Sequence, residues 1–365
     1  MIQQSYIGND SINQLADILD RLSAKKLFIV RAKASYITSG ARDIINTIVD
    51  KAKISTIEFF DFEENPKYED LLKGIEILKD SVADIILAVG GGSVLDMAKL
   101  IRFFYAYEGD VTGKVFVANN NPLLPLVALP TTAGTGAEAT HFSVLYKNKI
   151  KFSVEHDDML PDYAIVYPPF TYNNPIYLTA CTGFDALAQS VEAYWNLNAT
   201  NESDMYAEKA IKLLWNNLPL LVNTPTNELR DKILEGAYWA GKAINITKTT
   251  APHAFSYPFT TYYHYPHGHA VAITFPYFMY LNCVYNNDKE RVFKLLDMLG
   301  LTVEYDLKYK LWRYVENIGL SVRTEDVIDW DFVINQVNLE RLKNNPVEVD
   351  KDELKKYLLE LKQYK

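Results

Sequence analysis

Two apolar runs in the first third of the chain lead straight into loops rich in glycine and threonine, and this pairing narrows the available folds. ADIILAVG at 83–90 runs into Gly91, Gly92 and Ser93, while LPLVALP at 124–130 runs into Thr131-Thr132-Ala133-Gly134-Thr135-Gly136. Short, nearly continuous apolar runs bounded by turn-forming residues suit strands buried on both faces. LFIV at 27–30 also reads as a buried strand and STIEFFDF at 55–62 as a further strand, and the stretches 40–49, 68–79 and 93–105 between them carry helical spacing. Strands alternating with helices predict parallel βαβ units, with helices on both faces of the sheet.

The pattern changes after about residue 172. Stretches 176–196, 203–222, 227–245, 290–299, 306–318 and 351–362 all show helical apolar spacing, without a comparable set of strands. A chain of 365 residues also exceeds the usual size of a single core. The reading is therefore an α/β domain built on a parallel sheet over 1–170 and a predominantly helical domain over 171–365. The seam falls where Pro168, Pro169 and Pro175 cluster.

Charge limits the partners. Lys and Arg total 37 against 46 Asp and Glu, a net charge of −9 that disfavours nucleic-acid binding but leaves room for a small anion. No apolar run approaches membrane-spanning length, and MIQQSYIGNDSI lacks the order of a signal peptide. Cys181 and Cys283 are the only cysteines, which fits a reducing cytoplasm. These features predict a cytoplasmic protein that acts on a small molecule, away from membranes and nucleic acid.

The first glycine loop is a candidate phosphate cradle. Gly90, Gly91, Gly92 and Ser93 join a strand to a helix whose first N–H groups have no partner within the helix, and Asp96 and Lys99 follow. Glycine lets a pyrophosphate approach where a Cβ would stand in the way. The spacing is not that of the GxGxxG dinucleotide fingerprint. The second loop, 129–140, adds threonine hydroxyls and glycine amides at the end of another predicted strand, where open parallel sheets bind ligands. In the helical half, Asp185 and Gln189 lie four apart on one helical face. Four of the six histidines, His253, His264, His267 and His269, fall within 17 residues, beside glycine and proline turns. That is a candidate metal or catalytic cluster, although the sequence alone does not pair it with Asp185.

In this order, the motifs GGGSVLDMAK, LPTTAGTGAEAT, LTACTGFDAL, PHAFSYP, YPHGHAVA and Asn344-Asn345-Pro346 resemble those of the iron-containing, or group III, alcohol dehydrogenases. The resemblance covers essentially the whole chain. It implies a Rossmann-like domain, a helical domain and a cofactor–metal cleft between them. Carried over by position, it implies NADPH or NADH contacts at Asn65, Gly91, Gly92, Ser93, Thr131, Thr132, Thr140, Val144, Lys151 and Leu178. It implies a divalent metal, Fe²⁺ or Zn²⁺, on Asp185, His253 and His267. Gln189 stands where the family usually has a fourth histidine. Three readings follow: Gln189 ligates, three residues hold the metal with an open position, or the site is metal-poor.

Tyr257 stands where many members carry a histidine near the nicotinamide, so Tyr257, His264 or His269 is left to handle the proton. Ala32 stands where NAD-preferring members often carry an acid, and with Arg31 and Lys33 beside it NADPH is favoured over NADH. The segment 245–253 resembles the phosphonoacetaldehyde reductase branch, with Lys248 as the holder of an anionic substrate tail. The implied reaction is metal-assisted reduction of a small aldehyde to its alcohol by a homo-oligomeric enzyme, a dimer or larger. The alternatives are a general short-chain alcohol or polyol dehydrogenase, a lyase resembling 3-dehydroquinate synthase, and a nucleotide-binding protein without metal.

Overall fold

Strand β4 (Ile85–Gly90) has no exposed residue, and its burial follows from its place in the centre of a sheet. The computed structural model describes residues 3–148, 150–303, 306–321, 328–337 and 342–363. The chain divides into two compact units, Met1–Asn174 and Pro175–Lys365. In the first unit, β1 (Gln4–Ile7), β2 (Lys26–Arg31), β3 (Ser55–Phe59) and β4 precede the short antiparallel pair β5 (Tyr107–Glu108) and β6 (Val117–Ala118). β7 (Leu126–Pro130), the hairpin β8 (Phe142–Lys147) and β9 (Ile150–Glu155), and β10 (Tyr163–Val166) follow. Six of these strands form one parallel sheet in the order β1-β10-β7-β4-β2-β3.

The helices of this unit are α1 (Asn13–Arg21), α2 (Ser35–Thr38), α3 (Ala41–Ala52), α4 (Tyr68–Ser81) and α5 (Gly92–Ala106). Strand side chains alternate between two cores, as the twofold repeat of a strand requires. Leu27, Ile29, Leu87, Val89, Val127 and Leu129 pack with α1 and α3. Phe28, Val30, Ile86, Ala88, Leu126 and Ala128 pack with α4 and α5 on the opposite face. This double burial is why these strands read as continuous apolar runs. Because the helices after β2 and β4 cover opposite faces, the sheet's switch point lies between those two strands. An open α/β sheet binds its ligand at such a point.

The second unit is helical: α6 (Ile176–Trp195), α7 (Asn201–Leu214), α8 (Asn217–Asn223), α9 (Asn227–Thr247), α10 (Ala251–Tyr263), α11 (His267–Tyr285), α12 (Lys289–Leu299), α13 (Leu307–Asn317), α14 (Trp330–Asn335) and a last helix, Lys351–Gln363. Helix α6 packs against α7, α9 and α11, and nearly every residue from Thr179 to its end is buried. The α/β sheet and the helical second half agree with the predicted fold class. In detail, the single helical stretch read at 203–222 is two helices, α7 and α8, with Trp215 and Asn216 between them.

Candidate functional site

In the first unit the switch point is built mainly from backbone. Gly91 is the N-cap of α5, so the first N–H groups of that helix face outward at the end of β4. A Cβ on Gly92 would lie 2.6 Å from Thr135 Oγ1, and one on Gly91 would lie 3.3 Å from Thr132 Oγ1, so both glycines let the second loop close onto the first. Ser93 Oγ accepts from the Asn65 N–H at 3.1 Å, and Asn65 itself adopts a left-handed φ of 60°.

Two residues that the resemblance assigns to nucleotide contact, Thr140 and Thr131, also take part in holding the loops together. The Thr140 hydroxyl is buried and accepts from Lys99 Nζ at 3.0 Å, and Lys99 also donates to the Ala137 carbonyl at 3.0 Å. Asp96 accepts from the Val144 N–H at 3.0 Å and so ties α5 to β8. Burial pushes the Asp96 carboxyl up, with Lys99 and the Val144 N–H opposing. Asp96 and Lys99 therefore brace the cradle from behind, and Lys99, fully buried, is not a phosphate donor in this structure. Thr131 is also fully buried, its hydroxyl 3.5 Å from Ser35 Oγ and its carbonyl accepting from Asn174 Nδ2 at 2.9 Å. Thr132, Val144 and Lys151 are half-buried, and Leu178 lies exposed in the first turn of α6, in the second unit.

At the end of β2, Ala32 N–H donates to the Val89 carbonyl at 3.2 Å, which places it beside the glycine loop. Arg31 pairs with Glu58 at 2.7 Å and lies over the Phe60 ring at 3.7 Å, while Lys33 pairs with Asp61 at 3.2 Å. Both cations therefore have an acid beside them. That leaves less charge for a 2′-phosphate than the sequence suggests, and it weakens the case for preferring NADPH.

In the second unit the site is made of side chains. Asp185, His253 and His267, from α6, α10 and α11, each offer a ligand atom, and these atoms lie within 4.8 Å of one another. His253 Nε2 is 3.0 Å from Asp185 Oδ1, and His267 Nε2 is 3.7 Å from the same oxygen. Burial acts to lower the His253 pKa, but Glu192 and Asp185 together outweigh it and raise the group to about 10. A metal ion would displace the proton on Nε2. Gln189, one turn after Asp185, donates from Nε2 to Asp185 Oδ2 at 3.2 Å. Its Oε1 is buried and accepts no hydrogen bond among the described residues. An orphaned carboxamide oxygen on a side chain hydrogen-bonded to Asp185 is compatible with a divalent cation held by Asp185, His253 and His267.

Gly268 makes this convergence possible. A Cβ there would sit 1.8 Å from the Cys181 carbonyl oxygen, so the first turn of α11 lies directly on the backbone of α6. The Asn344-Asn345-Pro346 motif fastens the periphery: Asn344 Nδ2 donates to the Thr249 carbonyl at 3.1 Å, and Asn345 exchanges two 3.0 Å hydrogen bonds with Asn282.

The remaining candidates separate. The Tyr257 ring lies nearly parallel to His267, with centroids 5.8 Å apart. His269 is buried; its Nδ1 accepts from the Tyr177 hydroxyl at 2.9 Å and its Nε2 donates to the Ser321 carbonyl at 2.7 Å. Burial lowers its pKa, with the Ser321 carbonyl opposing. His264 is exposed at the C-cap of α10 with φ 58°, and none of the described contacts of the metal cluster includes it. Lys248, predicted to hold an anion, caps α9 with φ 64° and ψ −176°, a region that disfavours any residue with a Cβ. Its carbonyl accepts from Asn196 Nδ2 at 3.2 Å and from the Thr247 hydroxyl at 2.8 Å, which holds the strained backbone.

Glu192 was not legible as a site residue. It is fully buried and accepts from His253 Nδ1, the Thr250 N–H and the Thr250 hydroxyl. The signal in the sequence was a polar series at Asp185, Gln189 and Glu192, spaced for one face of an otherwise apolar helix.

A parallel sheet with a glycine cradle at its switch point, followed by helices that gather a carboxylate and two histidines, defines a nucleotide-using metalloenzyme. Residues 3–168 match the family model described as iron-containing alcohol dehydrogenase, and residues 179–326 match the C-terminal model of the same family. The chain belongs to the iron-containing alcohol dehydrogenase family, and it is a metal-dependent NAD(P) alcohol dehydrogenase. It is 31% identical over 329 residues to a long-chain-alcohol dehydrogenase of Geobacillus thermodenitrificans, covering 87% of this chain and 82% of that protein. It is 34% identical over 290 residues to a 1,3-propanediol dehydrogenase of Citrobacter freundii, covering 78% and 75%. The sulfoacetaldehyde reductase of Bifidobacterium kashiwanohense, solved with NAD⁺, superposes with a TM-score of 0.86 at 28% identity over 100% of this chain and 98% of that one. Among the described residues, no helix is long and apolar enough to cross a membrane.

Proposed function

We propose that this dehydrogenase works as a reductase of small aldehydes that carry an anionic tail, with phosphonoacetaldehyde, reduced to 2-hydroxyethylphosphonate, as the foremost candidate. The observation that carries this reading is Lys248. A cationic residue sits in a backbone conformation that favours glycine, five residues before His253, on the segment between α9 and α10. Backbone strain of this kind persists where the surroundings hold it, and it clusters at ligand-binding and catalytic sites. Similarity to a reductase of sulfoacetaldehyde, another short aldehyde with a tetrahedral anion, supports the same substrate class.

Asp185, Gln189, His253 and His267 are the residues proposed to hold the divalent ion, which when bound supplies Lewis acidity at a carbonyl oxygen. The glycine cradle of Gly91, Gly92 and Ser93 takes the pyrophosphate of NAD(P)H at the α5 N-terminus, with Asn65 fixing Ser93. Tyr257, its ring against His267, carries the proton for the product alkoxide at its phenolic oxygen. Lys248 binds the tail of the substrate. Location in the cytoplasm and a homo-oligomeric assembly complete the reading; the buried free thiols Cys181 and Cys283 are compatible with a reducing compartment.

Initial rates of NADPH and NADH oxidation with phosphonoacetaldehyde and with uncharged aldehydes of the same length test this. Lys248→Ala is expected to raise the KM for phosphonoacetaldehyde about tenfold or more, the loss of a charged hydrogen bond, and to leave uncharged aldehydes nearly unchanged. Equal effects on both substrates would remove the anion clamp. Turnover confined to uncharged aldehydes would favour the second reading, a general short-chain alcohol dehydrogenase, to which the likeness to a 1,3-propanediol dehydrogenase points.

A further inference from the structure

Glu192 has no exposed surface, and a buried carboxylate persists only where donors meet it. It lies seven residues after Asp185 on α6, two helical turns along the same face. Its Oε2 accepts from the Thr250 N–H at 2.6 Å and from the Thr250 hydroxyl at 2.9 Å, and its Oε1 accepts from His253 Nδ1. The Thr250 hydroxyl in turn accepts from Trp195 Nε1 at 2.9 Å, which directs its own proton toward Glu192. Thr250 is the N-cap of α10, the helix that carries His253. One carboxylate therefore holds both the start of that helix and the ring it presents.

An imidazole has two nitrogens, and either can carry the proton in the neutral ring. A hydrogen bond at one selects which of them is free to ligate. With Nδ1 held by Glu192, His253 turns Nε2 toward Asp185 and the ligand set. We infer that Glu192 is a positioning residue of the metal centre. It fixes the tautomer and orientation of His253, and through Thr250 it fixes the first turn of α10 against α6. It also supplies the second negative charge of this buried region: Asp185 and Glu192 together match the two positive charges of a divalent ion, and buried charge left unbalanced is costly. The inference rests on the reading that Asp185, His253 and His267 hold the metal.

The test measures metal binding apart from turnover. Purified protein is stripped by chelation and reloaded with Zn²⁺ or Co²⁺; affinity is read by chelator competition, coordination from the visible Co²⁺ spectrum, and stability from Tm with and without metal. Glu192→Gln keeps the shape but removes the charge and sets a donating NH2 against either His253 Nδ1 or the Thr250 donors. It should weaken metal binding by about 10–100-fold, shrink the metal-induced rise in Tm and alter the Co²⁺ spectrum. Thr250→Ser keeps the hydroxyl and should keep wild-type affinity, while Thr250→Val should fall between.

Wild-type affinity and spectrum in Glu192→Gln would overturn the inference. So would a lower metal-free Tm with affinity and the metal-induced Tm rise intact, since that marks a structural role. If Glu192→Gln does not fold, the threonine pair decides: wild-type affinity in Thr250→Val rejects the inference. A wild-type protein that takes up no divalent ion would instead reject the metal reading itself, an outcome the variants cannot produce.

Discussion

The cradle of the sheet unit and the metal cluster of the helical unit are built from opposite materials. The cradle is backbone: consecutive residues at one strand end, where glycines let two loops meet and leave helix N–H groups for an anion. Side chains there, such as Lys99 and Asp96, brace the loops from behind. The cluster is side chains, drawn from three helices and brought together across 68 residues of sequence between Asp185 and His253. One site depends on atoms that are missing, the other on atoms that arrive from a distance. Yet the cluster also turns on one missing atom, at Gly268, and that gives the sharpest way to break the comparison.

Gly268→Ala should have the largest effect. The added Cβ would meet the Cys181 carbonyl oxygen at 1.8 Å and its carbon at 2.7 Å, and backbone cannot rotate away as a side-chain tip can. The helices α11 and α6 must separate, carrying His267 from Asp185. The cost lies at the upper end of the roughly 1–3 kcal/mol typical of overpacking, a fall in Tm of about 6–12 °C, with loss of bound metal. Calorimetry and elemental analysis check it; wild-type Tm with full metal content would show that the close approach is not needed.

Gly92→Ala is the matching lesion in the cradle. Its Cβ would lie 2.6 Å from Thr135 Oγ1 and 2.7 Å from Thr135 Cγ2, but Thr135 is exposed and its loop can yield. The second loop should move off the N-terminus of α5, raising the KM for NAD(P)H about tenfold, or about 1.4 kcal/mol, while metal content stays at wild-type level. If Gly92→Ala lost metal, or Gly268→Ala lost only nucleotide affinity, the two sites would not be separable constructions.

The same contrast explains what the sequence revealed. Strands β2, β3, β4 and β7 and helices α3, α4 and α5 lie close to where the sequence pattern puts them; β2, β4 and β7 are buried on both faces and leave unbroken apolar runs, whereas β3, at the sheet edge, is largely exposed. The short edge strand β1 and the β8–β9 hairpin lack such runs, and β10 carries one, Tyr163–Val166, that is only four residues long; the sequence pattern does not single out these strands. Helices α10 and α11 were not read as helices either, since Pro258, Pro276 and Gly268 oppose local helix formation and tertiary packing overrides them. The cradle was visible as a contiguous motif. The pairing of Asp185 with His253 and His267 came from the family resemblance alone, because no local pattern encodes a contact across 68 residues. Glu192 was missed because a carboxylate in a helix looks like surface until its burial is known.

Two buried glutamates extend the comparison to pH. Glu192 meets three donors, whereas Glu138, in the cradle's second loop, is held by burial well away from its usual range and pushed up to about 7; its own N–H and Lys99 only partly oppose this. A carboxyl with a raised folded-state pKa keeps its proton in the folded chain while the unfolded chain has already released it. Its contribution is therefore fully present below about pH 4.5 and is lost as pH rises through about 7. Glu138→Gln mimics the protonated form at every pH. The variant should match the wild type below pH 4.5 and become the more stable of the two above pH 7. The gain should be on the order of 1 kcal/mol, since relaxation and water entry offset part of the burial. Tm measured against pH for both proteins checks this. Parallel profiles across the window would mean that the loop accommodates the ionised Glu138 without cost, and that the cradle, like the metal cluster, holds its buried acid with donors of its own.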